Sequence, residues 1–155
     1  MDRVPISPDG CKKLKEEFDH VTKVLIPQNI KDIETARGHG DLSENAEYHA
    51  AQETNALLRA RLNELKNKLA TCEVVDPEST PKDRVVFGAR VILEDIQSGE
   101  EKSYLVLGPY DADAGNGSIS YSSPLGRALL GKAAGDLVEF RSPGGVQKLE
   151  VISVR

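Results

Sequence analysis

The sequence predicts an α+β chain: an N-terminal antiparallel α-helical coiled-coil hairpin, followed by a small antiparallel β domain with one short helix. Three observations predict it. Apolar residues recur at intervals of three and four from Ser7 to about Val75, the period falls to two beyond residue 81, and a proline-bearing stretch separates the two patterns. The chain has 155 residues, enough for one or two small domains. The pattern places the hairpin at 1–75, a linker at 76–81 and the β domain at 82–155.

Ser7-Pro8 reads as a helix start, a hydroxyl cap followed by proline where its missing N–H costs nothing. Cys11, Leu14, Phe18, Val21 and Leu25 then form a coiled-coil seam. At Pro27 the register shifts, and Ile26, Ile30 and Ile33 continue the stripe; the proline should kink or loosen the helix without ending it. Gly38-His39-Gly40 marks a turn, after which Leu58, Leu62, Leu65, Leu69 and Cys72 form a second seam. Arms of about 30 residues would each extend roughly 45 Å at 1.5 Å per residue. The stretch from Ala46 to Ala56 is alanine-rich, which permits close helix contact but buries little area.

Val75-Asp76-Pro77-Glu78-Ser79-Thr80-Pro81 reads as the linker. Residues 90–94 then read as a strand, Gln97-Ser98-Gly99 as a turn and 102–107 as the returning strand. A polar loop over 111–117 leads to a short strand at 118–121, and 124–130 reads as a short helix stopped by Gly131. Residues 137–140 and 147–154 form a terminal hairpin around Ser142-Pro143-Gly144-Gly145.

Composition excludes several classes. No apolar run reaches 18 residues and the N-terminus lacks a basic-then-apolar leader, so a cytoplasmic protein with no membrane partner is expected. Two cysteines, Cys11 and Cys72, are too few for a disulfide scaffold or a zinc site, and both fall in phase with the helical seams, so core positions are expected. The net charge of −5 and the absence of Trp disfavour a protein that binds naked nucleic acid through phosphates and stacking. They leave room for a protein partner that holds the nucleic acid itself.

The densest chemistry lies at Gly38-His39-Gly40-Asp41-Leu42-Ser43-Glu44-Asn45-Ala46-Glu47-Tyr48. Asp41 and Glu44, three apart at a helix start, can face the same way. As a capping pair they would satisfy the helix N-terminus, a reading that Ser43 weakens by offering another cap. As oxygen ligands they would suit Mg²⁺, whose near-octahedral shell needs about six oxygens, so water or a partner must supply the rest. Both readings stand on spacing alone. His39 and His49 are candidate ligands or solvated side chains, Tyr48 beside Asn45 is a tip contact or interhelix packing, and Arg37, Arg59 and Arg61 place some positive charge on the hairpin. No Ser/His/Asp or Cys/His triad, phosphate-binding glycine loop or CxxC can be argued.

The string Gly40-Asp41-Leu42-Ser43-Glu44-Asn45-Ala46-Glu47-Tyr48-His49-Ala50-Ala51 resembles the tip signature of the GreA/GreB family of transcript cleavage factors. Ser122-Ser123-Pro124-Leu125-Gly126-Arg127-Ala128-Leu129-Leu130-Gly131-Lys132 resembles that family's C-terminal helix region. Val86-Phe87-Gly88-Ala89 is similar to the entry of its C-terminal domain, and Ser142-Pro143-Gly144-Gly145 is similar as well. The blocks occur in the family's order and span nearly the whole chain.

The resemblance implies an FKBP-like C-terminal domain that docks on the rim of the largest subunit of bacterial RNA polymerase, while the hairpin enters the secondary channel. It implies no cofactor for the chain alone, but a Mg²⁺ shared with RNA polymerase and held in part by Asp41 and Glu44. The polymerase would then cut the backtracked nascent RNA 3′ end with its own chemistry, so the chain is expected to be an accessory factor, a monomer, and no enzyme by itself. Docking contacts map onto Ser123 and Pro124 with Ser122 beside them; Leu42, Asn45, Tyr48 and Arg37 would support the tip. Gln52 and Ser122 depart from the family pattern, the first bearing on contact with extruded RNA and the second on docking. The modest basic content of the hairpin points to the GreA branch over the more basic GreB branch, with short cleavage products.

Three other readings compete. A Gre-like channel-binding inhibitor without cleavage activity would not need Asp41 and Glu44. A prolyl isomerase would need an aromatic pocket, for which Phe87, Tyr104, Tyr110, Tyr121 and Phe140 are few and scattered. A coiled-coil adaptor would leave the tip acids as caps.

Overall fold

A computed structural model of the chain describes residues 3–41 and 45–155. It is α+β, as expected, and divides into two compact units: residues 12–71, and residues 1–11 together with 72–155. No helix among the described residues is long and apolar enough to cross a membrane.

Strand β1 (Val4–Ile6) precedes helix α1 (Pro8–His20). Ser7 starts α1 as its sequence predicts, its Oγ accepting from the Gly10 N–H at 3.0 Å. A single π-helical stretch, Val21–Leu25, joins α1 to α2 (Ile26–Arg37). Pro27 supplies its cause. Lacking an N–H and crowding the preceding turn, the ring opens the ladder, and the Ile26 N–H reaches back five residues to the Val21 carbonyl. The extra residue moves the buried stripe to Val21, Ile26, Asn29 and Ala36, with Ile33 half-buried. The expected seam positions Leu25 and Ile30 are therefore turned outward, 37% and 44% exposed.

Helix α3 (Ala46–Thr71) returns, burying Ala51, Leu62 and Leu65, with Asn55, Leu58 and Leu69 half-buried between and beyond them in heptad phase. Arg61 ties α3 to α1, its guanidinium donating to both oxygens of Glu17 and pairing with Glu64 at 3.0 Å. Arg61, read from the sequence as part of the hairpin's positive charge, is thus an interhelix clamp.

The helical pattern was expected to run to Val75, but α3 ends at Thr71 and Cys72–Val74 forms strand β2. β2 pairs in parallel with β1, Val4 opposite Cys72 and Ile6 opposite Val74, and the Val75 N–H donates to the Ile6 carbonyl at 2.8 Å. Cys72 is consequently a half-buried strand residue, outside the helical seam, whereas Cys11 is buried. After a short 3₁₀ turn at Pro77–Ser79, the Lys82 ammonium donates to the Pro77 and Gly88 carbonyls and to Thr80 Oγ1, fastening the connecting segment to the sheet.

The main sheet contains β3 (Arg90–Asp95), β4 (Glu101–Leu107), β5 (Ser118–Ser120), β6 (Leu137–Ser142) and β7 (Gly145–Val154), in the order β5-β4-β3-β7-β6. The sheet is mainly antiparallel, as expected; β5 runs parallel to β4, because the connection of some ten residues carries the chain back before it pairs. Its core is Val85, Ala89, Val91, Leu93, Val106, Leu129, Val138, Leu149 and Val151, capped by helix α4 (Pro124–Leu129). A Cβ on Gly126 would stand 1.9 Å from the Ser120 carbonyl oxygen, so only glycine lets α4 approach β5 this closely.

Two stability measurements follow from this packing. Gly126→Ala forces backbone apart and should cost about 1–3 kcal/mol, read as a lower thermal midpoint. In the hairpin, the Arg61 hydrogen bond, helped by Lys68, holds the Glu64 carboxyl below the usual carboxylate range. A lowered folded-state pKa contributes stability above the ordinary value, and that stability is lost as pH falls through the lowered one. Glu64→Gln should therefore lower the urea midpoint at neutral pH, and the difference should shrink as pH falls below the ordinary carboxylate range.

Candidate functional site

The turn between α2 and α3 gathers the residues that the sequence marks. α2 closes at Arg37, where the Gly38 N–H bonds back to the carbonyls of Glu34 and Thr35 at 3.3 and 3.1 Å. Gly40 follows with φ +108°, a conformation that glycine adopts without strain. Asp41 is exposed and lines a shallow hollow of about 370 Å³ with His39, Asn45, Ala46 and Glu47.

Helix α3 begins at Ala46, later than an Asp41 cap would require. Its cap is Asn45, whose Oδ1 accepts from the Tyr48 N–H at 3.1 Å while its Nδ2 donates to the Ala36 carbonyl at 2.7 Å. One side chain thus closes the first turn of α3 and ties it to the last turn of α2. Among the described residues, Asn45 is the cap at the start of α3. Leu42, Ser43 and Glu44, the second acid among them, lie outside the described residues.

Tyr48 sits between the arms. The Arg37 guanidinium lies 5.9 Å from its ring centroid, within cation–π range, and the Gln52 amide donates to its hydroxyl at 2.7 Å. His49 meets the Tyr48 ring edge-on at 5.9 Å, and His39 Nε2 stands 3.4 Å from Glu47. Arg37, Asn45 and Tyr48 are therefore brought together beside the turn, and Gln52 joins them. Among the described residues, no group of three or more His, Cys, Asp or Glu side chains stands close enough to hold a metal ion. Asp41 itself is a hard oxygen donor of the kind Mg²⁺ takes, and its exposed position suits a ligand set completed from outside.

In the other unit, Ser123 caps α4. Its Oγ accepts from the Gly126 N–H at 3.1 Å and donates to the Ser120 carbonyl at 2.7 Å. The hydroxyls of Ser120 and Ser122 are 2.7 Å apart, and Pro124 occupies the exposed first turn. These three expected docking residues form one local cap, remote in sequence from the tip. The hollow between α4 and the sheet is about 80 Å³ and has Tyr104 as its one aromatic lining residue among those described. Asn29, buried between α2 and α3, escaped the sequence reading; its signal was a polar residue at a seam spacing from Ile26 and Ile33.

Comparison with known proteins agrees along the whole chain. The family model described as "Transcription elongation factor, N-terminal" matches residues 4–74, and that described as "Transcription elongation factor, GreA/GreB, C-term" matches residues 80–155. The transcription elongation factor GreA of Syntrophus aciditrophicus is 47% identical over 154 residues, covering 99% of this chain and 96% of that protein. The GreA of Thermodesulfovibrio yellowstonii is also 47% identical, covering 99% and 97%. A solved GreA/GreB factor from Nitrosomonas europaea shares 26% identity over 99% of this chain and 98% of its own, with a TM-score of 0.44. On the two family matches and the full-length relatives, the chain belongs to the GreA/GreB family of transcription elongation factors.

Proposed function

We propose that this elongation factor binds bacterial RNA polymerase, enters its secondary channel hairpin first, and promotes the polymerase's own cleavage of backtracked RNA. The observation that carries the reading is Asn45. By capping α3 and bonding to Ala36, it ties the start of α3 to the end of α2, and the exposed Asp41 stands at the rim of the tip hollow beside it. An exposed carboxylate placed there is suited to a ligand role.

In this reading Asp41 and Glu44 contribute carboxylate oxygens to a Mg²⁺ whose remaining ligands come from polymerase and water, since two acids supply only part of a shell of about six. When bound, that ion would stabilise the charged oxygens of an in-line displacement. Arg37, Tyr48 and Asn45 hold the turn against both arms, so the acid is presented from a supported position. The chain alone would be no nuclease; it would act as a monomer in the cytoplasm, where the polymerase works. Ser122, Ser123 and Pro124 would present the α4 cap to the rim of the largest subunit. The net charge of −5 accords with a factor that leaves nucleic acid to its partner.

Backtracked elongation complexes supplied with Mg²⁺ test the reading. The chain should accelerate 3′ cleavage, and Asp41→Asn and Glu44→Gln should each reduce the accelerated rate by about 100-fold or more while co-sedimentation with polymerase persists. Should the unaltered chain give no cleavage above polymerase alone, the inhibitor or adaptor reading replaces this one.

A further inference from the structure

Asn29 and Ile30 sit in the wrong places for a helix packed by hydrophobicity alone. Asn29 is 2% exposed, whereas its neighbour Ile30 is 44% exposed. Turning α2 by one residue, about 100° at 3.6 residues per turn, would exchange them and bury the larger apolar side chain. The observed arrangement persists with a cross-arm bond: Asn29 Nδ2 donates to the Ala51 carbonyl at 2.9 Å, joining residues 22 apart in sequence. Its Oδ1 is buried with no hydrogen-bond partner among the described residues, so the amide is held at a cost.

The surroundings explain why such a bond has work to do. The π-helical stretch at Val21–Leu25 inserts a residue into the turn just before α2, which resets the rotational phase of everything beyond it. The facing segment of α3 presents Ala51, a side chain too small to act as a knob that selects one phase. A buried polar side chain with one directional partner selects a phase that apolar packing leaves open, at some loss of stability.

We infer that Asn29 is a positioning residue: its hydrogen bond to the Ala51 carbonyl fixes the rotation of α2 against α3, and thereby the direction in which the turn carrying Asp41 is presented. The link to cleavage rests on the function proposed above; the link to helix phase does not.

The test uses the full chain with spin labels on keto amino acids at the exposed positions Lys31 and Glu53, one on each arm. The parent should give one narrow interlabel distance. Asn29→Ala should give two populations, as Ile30 competes for the seam, and Asn29→Ala combined with Ile30→Lys should restore one. Asn29→Leu should keep one distance and melt at or above the parent temperature, because leucine holds the same phase by burial. In the cleavage assay, Asn29→Ala should lower the maximal rate several-fold at an unchanged half-saturating concentration, and the double variant should recover it. A single parental distance in Asn29→Ala, failure of the double variant to restore it, or a lower melting temperature for Asn29→Leu overturns the inference. If the distances behave as expected while the parent stimulates no cleavage, the proposed function fails and the phase lock stands.

Discussion

A two-helix arm has only one buried stripe, and that constraint governs the hairpin. Each helix turns most of its circumference to solvent, so burial falls on a few positions such as Val21, Ile26, Leu62 and Leu65. Hydrophobic burial is non-directional, so it holds the arms together more firmly than it aligns them. Alignment comes from directed contacts at separate heights: Arg61 to Glu17 in the lower arm, Asn29 to the Ala51 carbonyl above it, and Asn45 to the Ala36 carbonyl beneath the turn. Arginine and asparagine suit this work because their donors lie in a plane and reward one orientation.

The same economy shapes the tip. Gly40 turns the chain, Asn45 closes the new helix, and Arg37 with Tyr48 braces the two arms.

What the sequence disclosed was chemistry between near neighbours. Ser7-Pro8 marked a helix start because capping is settled within one turn, and the alternating strands showed their period directly. The spacing of α3 was legible for the same reason. Leu25 and Ile30 were misplaced because a π-helical turn shifts phase without leaving a gap in the apolar pattern; Pro27 marked the place but not the sense of the shift. The β1–β2 pair was hidden, since three-residue strands far apart in sequence carry no periodic signal. The start of α3 was less legible: spacing allowed several caps near the turn, and the helix begins at Ala46 with Asn45 as its cap.

The parallel pairing of residues 4–6 with 72–74 makes the entire hairpin a closed loop, fastened at its root by strands that belong with the sheet. The entropy of closing a loop rises only with the logarithm of its length, roughly 0.6 kcal/mol for each doubling. Adding a heptad to both arms would lengthen the arm by about 10 Å while scarcely altering the root. Reach and foldedness are therefore separable quantities in this architecture, and evolution or design can set the first without renegotiating the second.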